Sequence, residues 1–157
     1  MEGSCFMENI VIREGRITDA EAIFLLNKIE MGYAYPIEKT REKLRALLSG
    51  RENKILVAVY HGELVGYVHA NDYDVIYAPH MKNIMGIAVA GKCKNRGVGR
   101  ALLSGIEDWA AKTGASGVRL VSGAARTGAH EFYRRCGYGD EKPQINFKKM
   151  LPSAVEK

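Results

Sequence analysis

The hydrophobic positions along this chain switch between two periods, and the switches mark out its elements. "NIVIREG" (Asn9 to Gly15) reads as a short strand. Thr18 or Asp19 then caps a helix whose apolar residues Ala22, Ile23, Leu26 and Ile29 recur at helical spacing. "GYAYP" breaks it, and a second helix is predicted from about Glu38 to Leu48, with Leu44, Leu47 and Leu48 on one side and Gly50 at its end. Two β runs, Ile55 to Tyr60 and Leu64 to Ala70, flank His61-Gly62-Glu63 and predict a hairpin. Residues 71–82 read as a polar and aromatic loop, and Asn83 to Ala90 as a further strand. A helix from Gly97 to about Thr113 carries Val98, Leu102, Ile106, Trp109 and Ala110 on one face. "GVRLVSG" reads as a buried strand, "GAHEFYRRCGY" as a short helix closed by Gly137, and the alternating "INFKKM" as an edge strand.

The predicted order is therefore β-α-α-β-β-β-α-β-α-β. The strand–helix–strand unit from 84 to 122 makes a right-handed crossover, so its two strands should be parallel neighbours. The early hairpin is antiparallel. Together these give an α/β chain with a mixed sheet and helices on both faces. Residues 9–151 are expected to form a single domain, with 1–8 and 152–157 as short tails, and Met7 is an alternative start to Met1.

Composition narrows the class. The chain has 157 residues, 46% apolar and 26% charged, as an ordinary globular protein has. No apolar run approaches the ~20 residues that span a bilayer, and the first residues lack the pattern of a signal peptide, so no membrane partner is expected. Cys5, Cys93 and Cys136 are odd in number, and their spacing suits neither a zinc site nor a disulfide framework. A reducing cytoplasm and no metal follow as expectations. The net charge of +5 suits an anionic ligand, with nucleic acid as the rival. The basic residues are dispersed except in one Gly-bearing loop, and no aromatic-basic platform or helix-turn-helix pattern accompanies them, so no nucleic-acid partner is expected.

That loop is Lys94-Asn95-Arg96-Gly97-Val98-Gly99-Arg100. Glycines let backbone turn tightly and approach a ligand. A helix starting here leaves its first N–H groups without internal partners, and with the positive end of the helix dipole they form an anion site. A pyrophosphate fits best. The P-loop pattern fails because no Gly-Lys-Ser/Thr closes the loop. The dinucleotide fingerprint fails because Leu102 stands where its third glycine belongs, and the region about 20 residues on reads Val118-Arg119-Leu120, without an acidic group.

Strand "IMGIAV", loop "KNRGVG" and helix "RALLSGIEDWA" resemble the coenzyme A motif of the GNAT superfamily of N-acetyltransferases, Arg/Gln-x-x-Gly-x-Gly/Ala after a strand. "HEFYRRCGY" is similar to the second signature of that superfamily, and the order of elements agrees over roughly residues 9–151. The resemblance implies the acyl-CoA N-acyltransferase fold: a central mixed, mostly antiparallel sheet, helices on both faces and a splayed parallel strand pair. It implies acetyl-CoA as cosubstrate. Ile87, Ala88 and Val89 would bond the pantetheine arm as an extra strand would, and backbone N–H groups at Lys94, Asn95, Arg96, Gly97, Val98, Gly99 and Arg100 would grip the pyrophosphate. Tyr133 would sit near the thioester sulfur. Four positions depart from the pattern: Lys94 for Arg or Gln, Gly91 where proline is frequent, Arg126 where Asn often contacts pantetheine, and Met85 where many members carry an acid. "MGIAVAGKCKNRGVGRALL", "EDWAAKTG" and "INFKKML" also look like aminoglycoside 6′-N-acetyltransferases, which usually carry an acid at the Met85 position.

The implied reaction is direct attack of an amine on acetyl-CoA in a ternary complex. An alkyl ammonium has a pKa near 10.4, so a base or water relay must take its proton. Met85 cannot serve. His80 and Asp72 are the candidate bases, beside Asp74 and Glu63, while His69, inside an apolar strand, reads as structural. Tyr133 is the candidate general acid for the departing thiolate. Tyr73, Asp74, Tyr33 and Tyr35 are expected to line the pocket for a small-molecule amine. The alternatives are a non-catalytic CoA-binding sensor of the same fold and a nucleic-acid-binding module. A homodimer is left open.

Overall fold

A computed structural model describes residues 6–152. The expectations for Cys5 and for Met1 as the start lie outside the described residues. Backbone proximity divides the chain into two compact units, one ending at Val121 and one beginning at Ser122.

In the first unit β1 (Ile10–Glu14), β2 (Asn53–Tyr60), β3 (Glu63–Tyr73), β4 (Met81–Val89) and β5 (Val118–Leu120) form one sheet in the order β1-β2-β3-β4-β5. The first three junctions are antiparallel and β4–β5 is parallel. That is the mixed, mostly antiparallel sheet expected from the sequence. In β2, Ile55 to Ala58 are all buried, so both faces of the sheet are covered there. On one face, α1 (Ala20–Met31) and α2 (Ile37–Leu48) set Ile23, Leu26 and Leu44 against Ile55, Val57, Tyr67 and Ala88. On the other, α3 (Val98–Lys112) buries Leu102, Leu103 and Ile106 completely. Alternation along β2 turns Leu56 to that second face, against Gly105 of α3.

The start of α1 is held by one carboxylate. Asp19 accepts two hydrogen bonds at 2.9 Å from the Arg13 guanidinium on β1 and one at 2.8 Å from the Arg16 backbone N–H. This fork, on a buried Asp19, ties the helix entry to the first strand. The hairpin between β2 and β3 is tighter than the three-residue turn expected. Glu63 already pairs with Tyr60, and His61 and Gly62 both take positive φ (47° and 80°), as a two-residue hairpin loop of the I′ kind requires.

Three expectations are corrected. Residues 71–82 are not all loop: β3 runs to Tyr73 and β4 begins at Met81, because Asp72↔Lys82 and Tyr73↔Met81 pair across the ladder. Polar residues there look like loop in sequence but satisfy one another across strands. "GVRLVSG" is strand only over Val118–Leu120, half-buried rather than buried, because its pairing with β4 stops at Ile84↔Leu120. "INFKKM" forms no strand, and Ile145 and Phe147 are exposed (78% and 85%); alternation gives a two-faced segment but supplies no neighbour to pair with.

In the second unit, α4 (Thr127–Arg135) ends as expected at Gly137, whose φ is 93°. The N–H groups of Gly137 and Tyr138 return to the carbonyls of Arg134 and Tyr133, each at 3.0 Å, closing the helix by a left-handed glycine cap.

Candidate active site

β4 passes through a 3-10 turn (Gly91–Cys93) into the basic loop. Glu30 of α1 fixes the turn: its carboxylate accepts the Gly91 N–H at 3.1 Å and pairs with Lys94 Nζ at 2.8 Å. The hydrogen bond from Lys94 holds the Glu30 carboxyl below its usual pKa. Lys94 is thus half-neutralised by Glu30, and its backbone N–H closes the turn onto Gly91 O at 3.3 Å. It anchors the loop more than it charges it. Asn95 and Gly97 take positive φ (62° and 89°), which folds the loop so that the chain re-enters as a helix at Val98. The first bond into α3 is Ala101 N–H to Gly97 O at 3.0 Å. The N–H groups of Asn95, Arg96, Gly97, Val98 and Gly99 donate to no backbone carbonyl among the described residues. These donors lie at the positive end of the α3 dipole, in a stretch that carries the exposed Arg96 and Arg100.

The second feature is a free strand edge. β4 and β5 pair only over Lys82 to Ile84, while β4 continues to Val89. Beyond Ile84 the outer edge of β4 has no ladder partner among the described residues, so the parallel pair splays. A β-bulge at Met85 begins the free stretch and leaves that side chain 55% exposed. Ala90 N–H donates to Val65 O on β3 at 2.8 Å. By alternation Ala88 also faces β3, and Ile87 and Val89 turn their N–H and C=O groups to the free edge. Of the three residues expected along the pantetheine, these two carry the available backbone groups.

The third feature lies on the α1/α2 face. A cavity of about 160 Å³ is walled by Ile23 and Asn27 of α1, Lys43 and Leu44 of α2, Tyr35 of their connection, and Ile55, Tyr67 and His69 of the sheet. Tyr67 Oη donates to Asn27 Oδ1. His69 Nε2 lies 2.8 Å from Asn53 Oδ1; an acceptor there makes Nε2 the protonated nitrogen and leaves Nδ1 with a lone pair. Burial lowers the His69 pKa below its ordinary value, so the ring is neutral at neutral pH. In the ladder His69 faces Gly86, and Tyr67 faces Ala88. An added Cβ at Gly86 would meet only Tyr67 Oη, at 3.6 Å, so the floor over the splay is open on this face.

His69, Tyr67, Asn27 and Lys43 were not picked out by the sequence. A histidine in an apolar strand signals burial, and only the register with Gly86 shows what it faces. Tyr35 lines this cavity, and Tyr33, 59% exposed, is not among its lining residues. The cluster of 72–80 divides across the sheet. Lys82 is buried with its ammonium 4.0 Å from the centroid of the Trp109 ring on α3, and Asp72 is its ion-pair partner. Tyr73 points to the opposite face, under the Arg119 guanidinium at 4.1 Å, and Arg119 donates to Asn83 Oδ1 at 2.6 Å. His80 Nδ1 lies 2.8 Å from Asp74 and its Nε2 3.8 Å from Asp72. It precedes β4, six residues before Gly86, or about 20 Å of strand.

In the second unit, Tyr133 sits half-buried on α4 between Phe132 and Tyr138 (ring centroids at 5.3 and 6.3 Å). Burial raises its hydroxyl pKa, against a smaller lowering by Arg126. Arg126 is exposed before α4, its N–H donating to Gly123 O at 3.0 Å. Cys136 is a free thiol, and in the first unit Cys93 is fully buried and disulfide-bonded, which the cysteine spacings did not anticipate. The cytoplasmic expectation loses that support. Among the described residues no helix is long and apolar enough to cross a membrane, and no three His, Cys, Asp or Glu side chains group as metal ligands.

A row of N–H donors without a backbone acceptor among the described residues, followed along the chain from a strand with one free edge, is what a diphosphate and an amide-bearing arm need at their two ends. The family comparison agrees. Residues 20–138 match the model of the Acetyltransferase (GNAT) family, and the chain belongs to that family. It is an N-acetyltransferase by class. The Bacillus subtilis (strain 168) protein described as "Uncharacterized N-acetyltransferase YhfO" is 27% identical over 148 residues, covering 90% of this chain and 98% of that protein. Among solved structures, the aminoglycoside N-acetyltransferase AAC(6′)-Iy in complex with a CoA-containing bisubstrate analogue superposes with a TM-score of 0.81 at 18% identity, covering 90% of this chain and 99% of the other. A transcriptional regulator from Bacillus halodurans C-125 superposes at 0.80 with 17% identity, covering 89% and 99%. At these identities the structures establish the fold alone.

Proposed function

We propose that the protein transfers the acetyl group of acetyl-CoA to a primary amine by direct attack within a ternary complex. The observation that carries this reading is the set of N–H groups from Asn95 to Gly99 that donate to no backbone carbonyl among the described residues, reached from the free edge of β4. The loop would hold the diphosphate, and the outward groups of Ile87 and Val89 the pantetheine. Family membership and a neighbour solved with a CoA-based ligand support the cosubstrate.

The acceptor enters the cavity under α1 and α2. Its ammonium must lose a proton before nitrogen attacks, and His69 Nδ1 is the lone pair on that side of the sheet beside Gly86. His69 Nδ1 takes the first proton from the ammonium and passes it to solvent; as the C–N bond forms and the C–S bond breaks, the second N–H proton goes to the freed Nδ1. The sulfur, whose thiol pKa is near 8.5, takes one from an acid. Tyr133 keeps the role of acid that its motif implies; burial within its own unit holds the hydroxyl protonated. Asp72 serves as counter-ion to buried Lys82, and His80 orders the β3–β4 connection through Asp74.

Calorimetric titration of acetyl-CoA, followed by assay of free thiol with a panel of primary amines, tests the reading. Binding together with amine-dependent thiol release is expected. Tyr133→Phe should lower kcat by about 10² while the acetyl-CoA Kd holds. Binding without thiol release from any amine would favour the sensor, and full activity in the variant would remove Tyr133 from the mechanism.

A further inference from the structure

The cavity beside His69 has an unusual charge character for a site that receives a cation. No Asp or Glu lines it. Its one ionised side chain is Lys43, exposed on α2, which has no ion-pair partner among the described residues. Of the other cations on α2, Arg41 pairs with Glu38, and neither Lys39 nor Arg45 lines the cavity. Inside, the walls are apolar (Ile23, Leu44, Ile55). The Asn27 carbonyl oxygen is already taken by Tyr67, and the remaining Asn27 group is an N–H₂ donor. The cavity's acceptors, among them the His69 lone pair and the hydroxyls of Tyr35, Thr40 and Tyr67, carry no negative charge, and its one full charge is positive, set around an apolar body. At about 160 Å³ it lies below the ~300–1,000 Å³ of pockets for drug-sized ligands.

Resting on the acetyltransferase reading above, we infer that the acceptor is a small amine that also carries a carboxylate on a compact apolar body. The carboxylate binds Lys43 and the amine reaches His69. A polycation would bring several charges to a site with no carboxylate and one lysine, a like-charge juxtaposition that costs affinity. A phosphate would leave its second charge unmatched by the single Lys43, with no arginine in the lining.

The test compares kcat/KM for leucine, methionine and phenylalanine with kcat/KM for their C-terminal amides, and with spermidine and neamine, by thiol release from acetyl-CoA. The amino acids should exceed their amides by about tenfold, and the polycations by more. In Lys43→Met the carboxylate-to-amide ratio should fall to within about twofold, and in Lys43→Glu it should invert. A ratio taken within one protein does not depend on its folded fraction. A wild-type ratio near one, or a ratio unmoved in both variants, overturns the inference. Thiol release from spermidine or neamine but not from the amino acids also overturns it, and leaves the acetyltransferase reading standing. No thiol from any amine in the panel overturns that reading, and the inference falls with it.

Discussion

Asp19 and His69 are single side chains whose surroundings set their behaviour. Asp19 is buried and takes three hydrogen bonds from Arg13 and Arg16, so Asp19→Asn should destabilise the protein by about 2–3 kcal/mol in urea unfolding. Its pKa is lowered chiefly by the Arg13 bond, so its contribution is complete above the ordinary Asp value and is lost as pH falls through the lower folded value. His69 is displaced the same way for a different reason. Burial lowers its pKa, so between that folded value and about 6.5 the unfolded chain binds the extra proton. Stability should therefore fall as pH drops below about 6.5, and less so in His69→Gln. The same lowered pKa keeps the ring neutral into mildly acid solution. The acid limb of the kcat/KM profile should lie below pH 6.5 in the wild type and disappear in His69→Gln; an unchanged limb would remove His69 as the proton acceptor.

At the scale of elements, the decisive features are a parallel pair that ends early and a helix that starts late. β4–β5 pairing stops at Ile84, and the next residues carry the bulge at Met85 and then Gly86, where a Cβ meets only Tyr67 Oη. Gly86→Val should fill the space between cavity and strand. It should raise the KM for the amine at least tenfold and leave the acetyl-CoA Kd within a factor of about two, because the outward groups of Ile87 and Val89 lie on the edge rather than the face. Equal losses in both would mean that the acceptor and the coenzyme share that space. The helix start is subject to the opposite change. Gly97 holds φ at 89° beneath Met7, so Gly97→Val strains the loop and should weaken acetyl-CoA binding by tenfold or more in calorimetry.

At the scale of the whole molecule, ligand binding and stability are linked. Acetyl-CoA bound only by the folded chain should add about 2.7 kcal/mol at one hundred times its Kd, read as a rise in Tm that grows with the logarithm of concentration. Coenzyme A should produce most of that rise, and acetate none, because the proposed grip is on the diphosphate.

The sequence by itself determined the order of elements through α4, the hairpin, the parallel neighbours and the glycine-bearing basic loop that opens α3. Each is written locally, in hydrophobic period, in glycine position, or in the one handedness open to a crossover. The family followed from two such local motifs. What lay between strands was not legible. Asp72 and Tyr73 read as one polar cluster until adjacent positions on β3 sent them to opposite faces. That His69 lies opposite Gly86 was set by the register alone. "INFKKM" read as an edge strand because alternation records two faces and not a partner. Register, the extent of the splay and the charge of the cavity under α1 and α2 belonged to tertiary structure, since each depends on residues that approach only after the sheet has closed.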